Sequence, residues 1–244
     1  MPGPCLCHGR GVTPAEDDSG APRAPRADHR DPPRHGGRLL PTTRLDAFSD
    51  GVFAIVITLL VLELDVPESA ARLLEDLRAE WPSFLGYLVS FAFIGGVWVE
   101  HSNLTRLLRA TDGVFLRLNL LLLLFVTFLP FTTSLMATHL SDAARRPATV
   151  AFGLNLTLAI LMSNVLIAYA VRNADLTDEA GRAELPALAR ERWSVAVLMA
   201  ASTLLAAFLP QLAVAFYLAV AMLLLVEPFR LLRAPRHRAG TGSA

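Results

Sequence analysis

One stretch concentrates most of the residues whose types could do chemistry. Residues 44–65 read Arg-Leu-Asp-Ala-Phe-Ser-Asp-Gly-Val-Phe-Ala-Ile-Val-Ile-Thr-Leu-Leu-Val-Leu-Glu-Leu-Asp. Arg44, Asp46 and Asp50 fall in its first two turns, beside Phe48 and Ser49. Charges on a helix within lipid are costly unless they are paired or hydrated. Arg44 and Asp50 stand six residues apart, so they cannot pair along one helix. Asp50 also points away from the stripe formed by Ile55 and Leu62, and must find its partner on another helix. His101, Arg117 and Asn119 are the candidates. Such a polar set can simply lock a helix bundle. It can equally hold the helix that carries it at a fixed angle.

Past Asp50 the run from Gly51 to Leu62 contains one polar side chain, Thr58. Ile55, Thr58, Leu59 and Leu62 recur at i, i+3, i+4 and i+7, the spacing of one helical face. In a single chain that stripe is a packing face. Repeated around a symmetry axis, it becomes an apolar constriction with a ring of threonine hydroxyls. Apolar constrictions gate by dewetting, and oxygens can replace part of a cation's hydration shell. The residues alone leave both readings open. At the outer end, Glu63, Asp65, Glu68, Glu75, Asp76 and Glu80 face only Arg72 and Arg78. A negative mouth concentrates cations; a solvated loop is the plainer alternative. His101, after Glu100, could titrate, or serve as a hydrogen-bonded structural histidine.

The elements that position these residues follow from blocked hydrophobicity. The chain has 244 residues, 53% of them hydrophobic, and a mean hydropathy of +0.45. Segments 83–99, 149–171 and 193–226 contain no charged residue. Runs of this length belong in a bilayer rather than a small soluble core. The reading is an all-α polytopic membrane protein with six transmembrane helices, at 44–65, 82–104, 112–138 (kinked at Pro130), 147–171, 192–209 and 211–232. The last two share one uncharged run that, as a single helix, would measure roughly 51 Å, too long for one crossing. Pro210 divides it. Segment 66–81 has room for a short surface helix, and 172–191 reads as a polar loop with some helix.

Every basic residue is Arg, and 18 of the 22 fall on one side of this topology. The positive-inside rule then puts both termini in the cytoplasm of a plasma-membrane protein. Residues 1–40, rich in Pro, Gly and Arg, read as a disordered tail without a cleaved signal peptide. Residues 41–232 form the membrane domain and 233–244 a short tail. Cys5 and Cys7, the only cysteines, lie in the first tail with His8, a weak pattern for a metal. The charge balance gives no reason to invoke nucleic acid. No phosphate-binding loop, zinc-protease motif, nucleophile elbow or Cys-x-x-Cys pair is present, so nothing points to an enzyme. The Gly-Tyr-Gly selectivity loop is likewise missing.

Arg44-x-x-x-Phe48-Ser49-Asp50 with its apolar continuation resembles the first helix of the transmembrane protein 175 family of potassium channels. Trp98-x-x-His101 and Asn119 with Phe128-Leu129-Pro130-Phe131 are similar to that family's second and third helices. The likeness covers residues 40–232. It implies a single six-helix repeat that assembles as a homotetramer, with the first helix lining the pore. It implies a constriction at Ile55, with Leu59 and Leu62 further outward and a selectivity-linked layer at Thr58. Arg44 is implied at the centre of a bracing network with Phe48, Ser49, Asp50, Trp98, His101 and Asn119, and Glu63 and Asp65 sit at the outer mouth. The function implied is a leak-like potassium-permeable channel, with membrane lipid and potassium ions as partners and no cofactor. The rival is a secondary or proton-coupled transporter relaying through Asp50 and His101. Such carriers often show inverted repeats, and none is visible.

Overall fold

The computed structural model describes residues 39–66 and 72–233, with side chains to Val226. The tails at 1–38 and 234–244, with Cys5, Cys7 and His8, lie outside these residues, as does Glu68. Eight α-helices are present among the described residues: α1 Thr43–Val61, α2 Leu73–Ala79, α3 Trp81–Arg106, α4 Gly113–Thr127, α5 Leu129–His139, α6 Arg145–Arg172, α7 Glu179–Ala206 and α8 Pro210–Arg233. Two isolated bridges, Leu40 with Thr111 and Leu108 with Thr177, are the only extended pairings among these residues. Among the described residues, three helical stretches are long and apolar enough to cross a membrane: α3, α4 with α5, and α6. A shorter apolar stretch spans Pro210–Val226.

The helix boundaries have local causes. Asp112 caps α4 by accepting from the Phe115 amide at 2.8 Å, and Asp178 caps α7 by accepting from Gly181 at 2.6 Å. Such caps satisfy amides that a helix start leaves without partners. The expected kink at Pro130 is a break between α4 and α5 at Phe128, two residues earlier. Proline offers no N–H, and its ring crowds the preceding turn. Asn155 on α6 donates to the Phe125 carbonyl at 3.2 Å, just before that break. A neighbouring helix thereby serves backbone that a proline disturbs.

Two expectations need correction. The first helix stops at Val61 rather than 65, because residues 62–66 turn away ahead of Pro67. The segment 172–191 is not mainly loop. After a 3₁₀ turn at Ala174–Leu176, α7 begins at Glu179 and runs unbroken to Ala206, with Pro186 inside it. The polar half of α7 and its apolar half are therefore one rod of 28 residues.

The core forms where α3, α4, α5, α6, α7 and α8 pack together, and α1 lies against α3, α4 and α5. Small residues let backbones approach closely where lipid supplies no hydrophobic drive between helices. A Cβ on Gly96 would come within 2.7 Å of the Leu224 Cβ, so α3 and α8 meet nearly backbone to backbone. A Cβ on Gly153 would fall on the Tyr217 hydroxyl. Side-chain hydrogen bonds stitch the interior. Ser90 pairs with Thr133 at 2.7 Å, and Thr157 with Thr203 at 3.0 Å.

Candidate functional site

Helix α1 has two contrasting sides. Leu45, Ser49, Phe53, Val56 and Leu60 are buried and recur at helical spacing, which fixes the rotation of the helix against its neighbours. The opposite side is uncovered within the chain. Phe48, Ile55, Leu59 and Leu62 are exposed by 55%, 60%, 42% and 75%. Thr58 is exposed on the same side, and its hydroxyl donates to the Ile55 carbonyl at 2.8 Å. That bond uses the hydroxyl hydrogen and leaves oxygen lone pairs free to face outward. The apolar stripe is thus not consumed by packing within the chain.

A polar cluster sets α1 in place near its first turns. Asn119 on α4, almost wholly buried, donates through Nδ2 to Ser49 Oγ at 3.0 Å. Its Oδ1 lies 2.7 Å from His101 Nε2 on α3. An amide oxygen can only accept, so His101 carries its proton on Nε2 in this arrangement. The His101 ring also lies 5.7 Å from the Phe53 ring, centroid to centroid. Three helices meet at one amide, and its groups are buried but satisfied, as interior polar groups must be.

Asp50 finds its partner elsewhere. Trp98 Nε1 on α3 donates to Asp50 Oδ1 at 2.8 Å. The expected partners His101 and Asn119 bond each other instead, and Arg117 is exposed. Ser49, Asp50, Trp98, His101 and Asn119 therefore come together around α1. Arg44 does not join them: it is exposed and makes no side-chain bond among the described residues. At the other end of α1, Glu63 is half-buried and Asp65 exposed, beyond the last helical turn.

The sequence reading missed one pair. Glu100 on α3 and Arg192 on α7 form a buried ion pair, Nε to Oε1 at 3.1 Å, with side chains 4% and 6% exposed. Both residues border uncharged runs, so a signal was there. Their separation along the chain hid the pairing.

Residues 44–130 match the family described as the endosomal/lysosomal potassium channel TMEM175. A potassium channel of Chamaesiphon minutus is 42% identical over 155 residues, covering 62% of this chain and 76% of that protein. A potassium channel of Streptomyces collinus is 37% identical over 147 residues, covering 59% of this chain and 70% of that protein. The fold is similar to the crystal structure of a lysosomal potassium-selective channel TMEM175 homolog from Chamaesiphon minutus. The TM-score is 0.70 at 34% identity, covering 77% of this chain and 97% of that one.

Proposed function

Because this chain belongs to the TMEM175 family of potassium channels, we propose that it is a potassium-permeable, leak-like cation channel whose pore is lined by α1 in a homotetramer. The observation that carries this reading is the uncovered stripe of Ile55, Leu59 and Leu62. A helix whose other side is pinned by five buried residues presents that stripe at a fixed orientation. Four copies around an axis give an apolar neck. From Ile55 to Leu62 it runs about 10 Å, at 1.5 Å rise per residue. Apolar necks of this kind control conduction through their wetting.

Thr58 lies within the neck and offers a hydroxyl oxygen toward the ion. Its proton is already given to the Ile55 carbonyl, so the oxygen meets a cation as an acceptor. A ring of such oxygens favours the ion that sheds its water more cheaply, potassium over sodium. Glu63 and Asp65 at the outer mouth raise the local cation concentration. The transport needs no cofactor and no bond-making step, and the family's chemistry is conduction rather than catalysis.

This reading uses six membrane-crossing elements: α1, α3, α4 with α5, α6, α7 and α8, with both termini cytoplasmic in the plasma membrane. Arg placement supports that orientation. α1 carries Arg44, Asp46 and Asp50 in its first eight residues, and its crossing depends on the bonds of Asp50 and Ser49 and on assembly around the axis. Arg44, which makes no side-chain bond among the described residues, is then available to a neighbouring copy.

Reconstitution into liposomes with ion substitution tests the proposal. Wild-type protein passes potassium in preference to sodium. Thr58→Val lowers that preference, and Ile55→Ala raises conductance by widening the neck. Protein that passes neither ion, or substitutions without effect on the currents, would remove the pore from α1.

A further inference from the structure

One turn of α3 reaches three other helices. Trp98 donates to Asp50 on α1 at 2.8 Å, and His101 bonds Asn119 on α4 at 2.7 Å. Glu100, between them, forms the buried ion pair with Arg192 on α7 at 3.1 Å. Residues 98 and 101 hold the helix that lines the proposed pore. Residue 100 points to the opposite side of α3, as helical spacing requires.

Helix α7 packs chiefly on α6 and α8, whereas α1 packs on α3, α4 and α5. The ion pair is thus a direct link from α7 to the turn that positions α1. Arg192 is itself anchored, since its carbonyl accepts from Asn164 Nδ2 on α6 at 3.2 Å. The start of α7 is tied to the end of α3 as well. The Asp178 amide donates to the Leu107 carbonyl at 3.2 Å, and Arg109 Nε to the Asp175 carbonyl at 2.8 Å. The polar half of α7, roughly 21 Å of helix from residue 178 to residue 192, is therefore held at one end by the residues just after α3 and at the other by Glu100 on α3.

A buried ion pair is a poor way to gain stability. Desolvation takes back most of the attraction, and apolar side chains of like volume often serve as well or better. What the pair supplies is a fixed mutual position, because a guanidinium fork tolerates little misalignment. We propose that Glu100 and Arg192 are a positioning pair for the pore helix: they hold the α3 turn bearing Trp98 and His101, and so set α1 in its conducting position. This rests on the channel reading. Neither side chain touches the ion, so ion preference is untouched while the fraction of time spent open changes.

The test is single-channel recording of the full chain in planar bilayers, comparing wild type with E100Q, R192Q and the double variant. Recording counts only folded, assembled channels, so loss of stability alone leaves open probability unchanged. Both single variants lower open probability about tenfold, within the range for residues one layer removed from a site. The potassium-to-sodium permeability ratio stays at its wild-type value. The double variant lies between the singles and wild type, since no uncompensated charge remains. If a single variant does not assemble, the double variant decides: reduced open probability supports the assignment, and a wild-type value overturns it. A conducting wild type with unaltered E100Q and R192Q overturns this inference alone. A silent wild type overturns the channel reading and this inference with it.

Discussion

The Asn119 amide offers the sharpest thermodynamic test of how α1 is held. Asn119→Leu keeps the side-chain volume close and removes two bonds, the 3.0 Å bond to Ser49 Oγ and the 2.7 Å bond to His101 Nε2. It leaves a buried hydroxyl and a buried imidazole without their shared partner. Interhelical hydrogen bonds within membranes measure about 0.6 kcal/mol each, up to about 1.7. A stranded interior polar group costs about 1–3 kcal/mol. The expected destabilisation is therefore about 1–3 kcal/mol, toward the upper end because two groups are stranded. A double-mutant cycle with Ser49→Ala isolates one bond. Ser49→Ala destabilises the wild type, but has little effect in the Asn119→Leu background, giving a coupling of about 0.6–1.7 kcal/mol. The assay is reversible unfolding in mixed micelles with increasing anionic detergent. Effects that add to within about 0.3 kcal/mol, as independent sites do, would refute a shared bond between α1 and α4.

On the proposed pore arrangement, the two sides of α1 separate stability from conduction. Leu60, fully buried, costs about 2–5 kcal/mol when cut to alanine. Ile55→Ala on the exposed side changes protomer stability by no more than about 0.5 kcal/mol yet alters the current; equal unfolding midpoints for the two variants would contradict this division. Glu63→Gln with Asp65→Asn lowers potassium conductance at low ionic strength. The loss shrinks at physiological salt, where the Debye length is about 8 Å, and a salt-independent loss would deny the acids an electrostatic role. Trp98→Phe removes the donor to Asp50 while keeping a ring, and should lower open probability without abolishing assembly, read from single channels and size-exclusion profiles.

Much of the fold was legible because apolar runs and prolines punctuate the chain. Pro210 divides the longest uncharged run as expected, and α3 and α6 follow their hydrophobic blocks. The polar half of α7 was not legible. Its alternating Glu and Arg read as a polar loop with some helix, but a cap at Asp178 starts a helix that runs on unbroken. The buried side of α1 could be read from spacing, and the uncovered side from its complement. Asp50's partner could not: Trp98 counts as apolar in any hydropathy argument, and only its indole N–H matters here. The Glu100–Arg192 pair joins residues far apart in the chain, and only tertiary packing brings them within 3.1 Å.

The central claim is that Ile55 faces the ion path. With Cys5 and Cys7 replaced by serine, Ile55→Cys places a single thiol at the proposed neck. A small thiol-reactive cation or silver ion applied during recording should abolish the potassium current rapidly, and permeant ions should slow the reaction. A potassium current that persists unchanged while the thiol at position 55 is shown to be fully labelled would place α1 outside the conduction path.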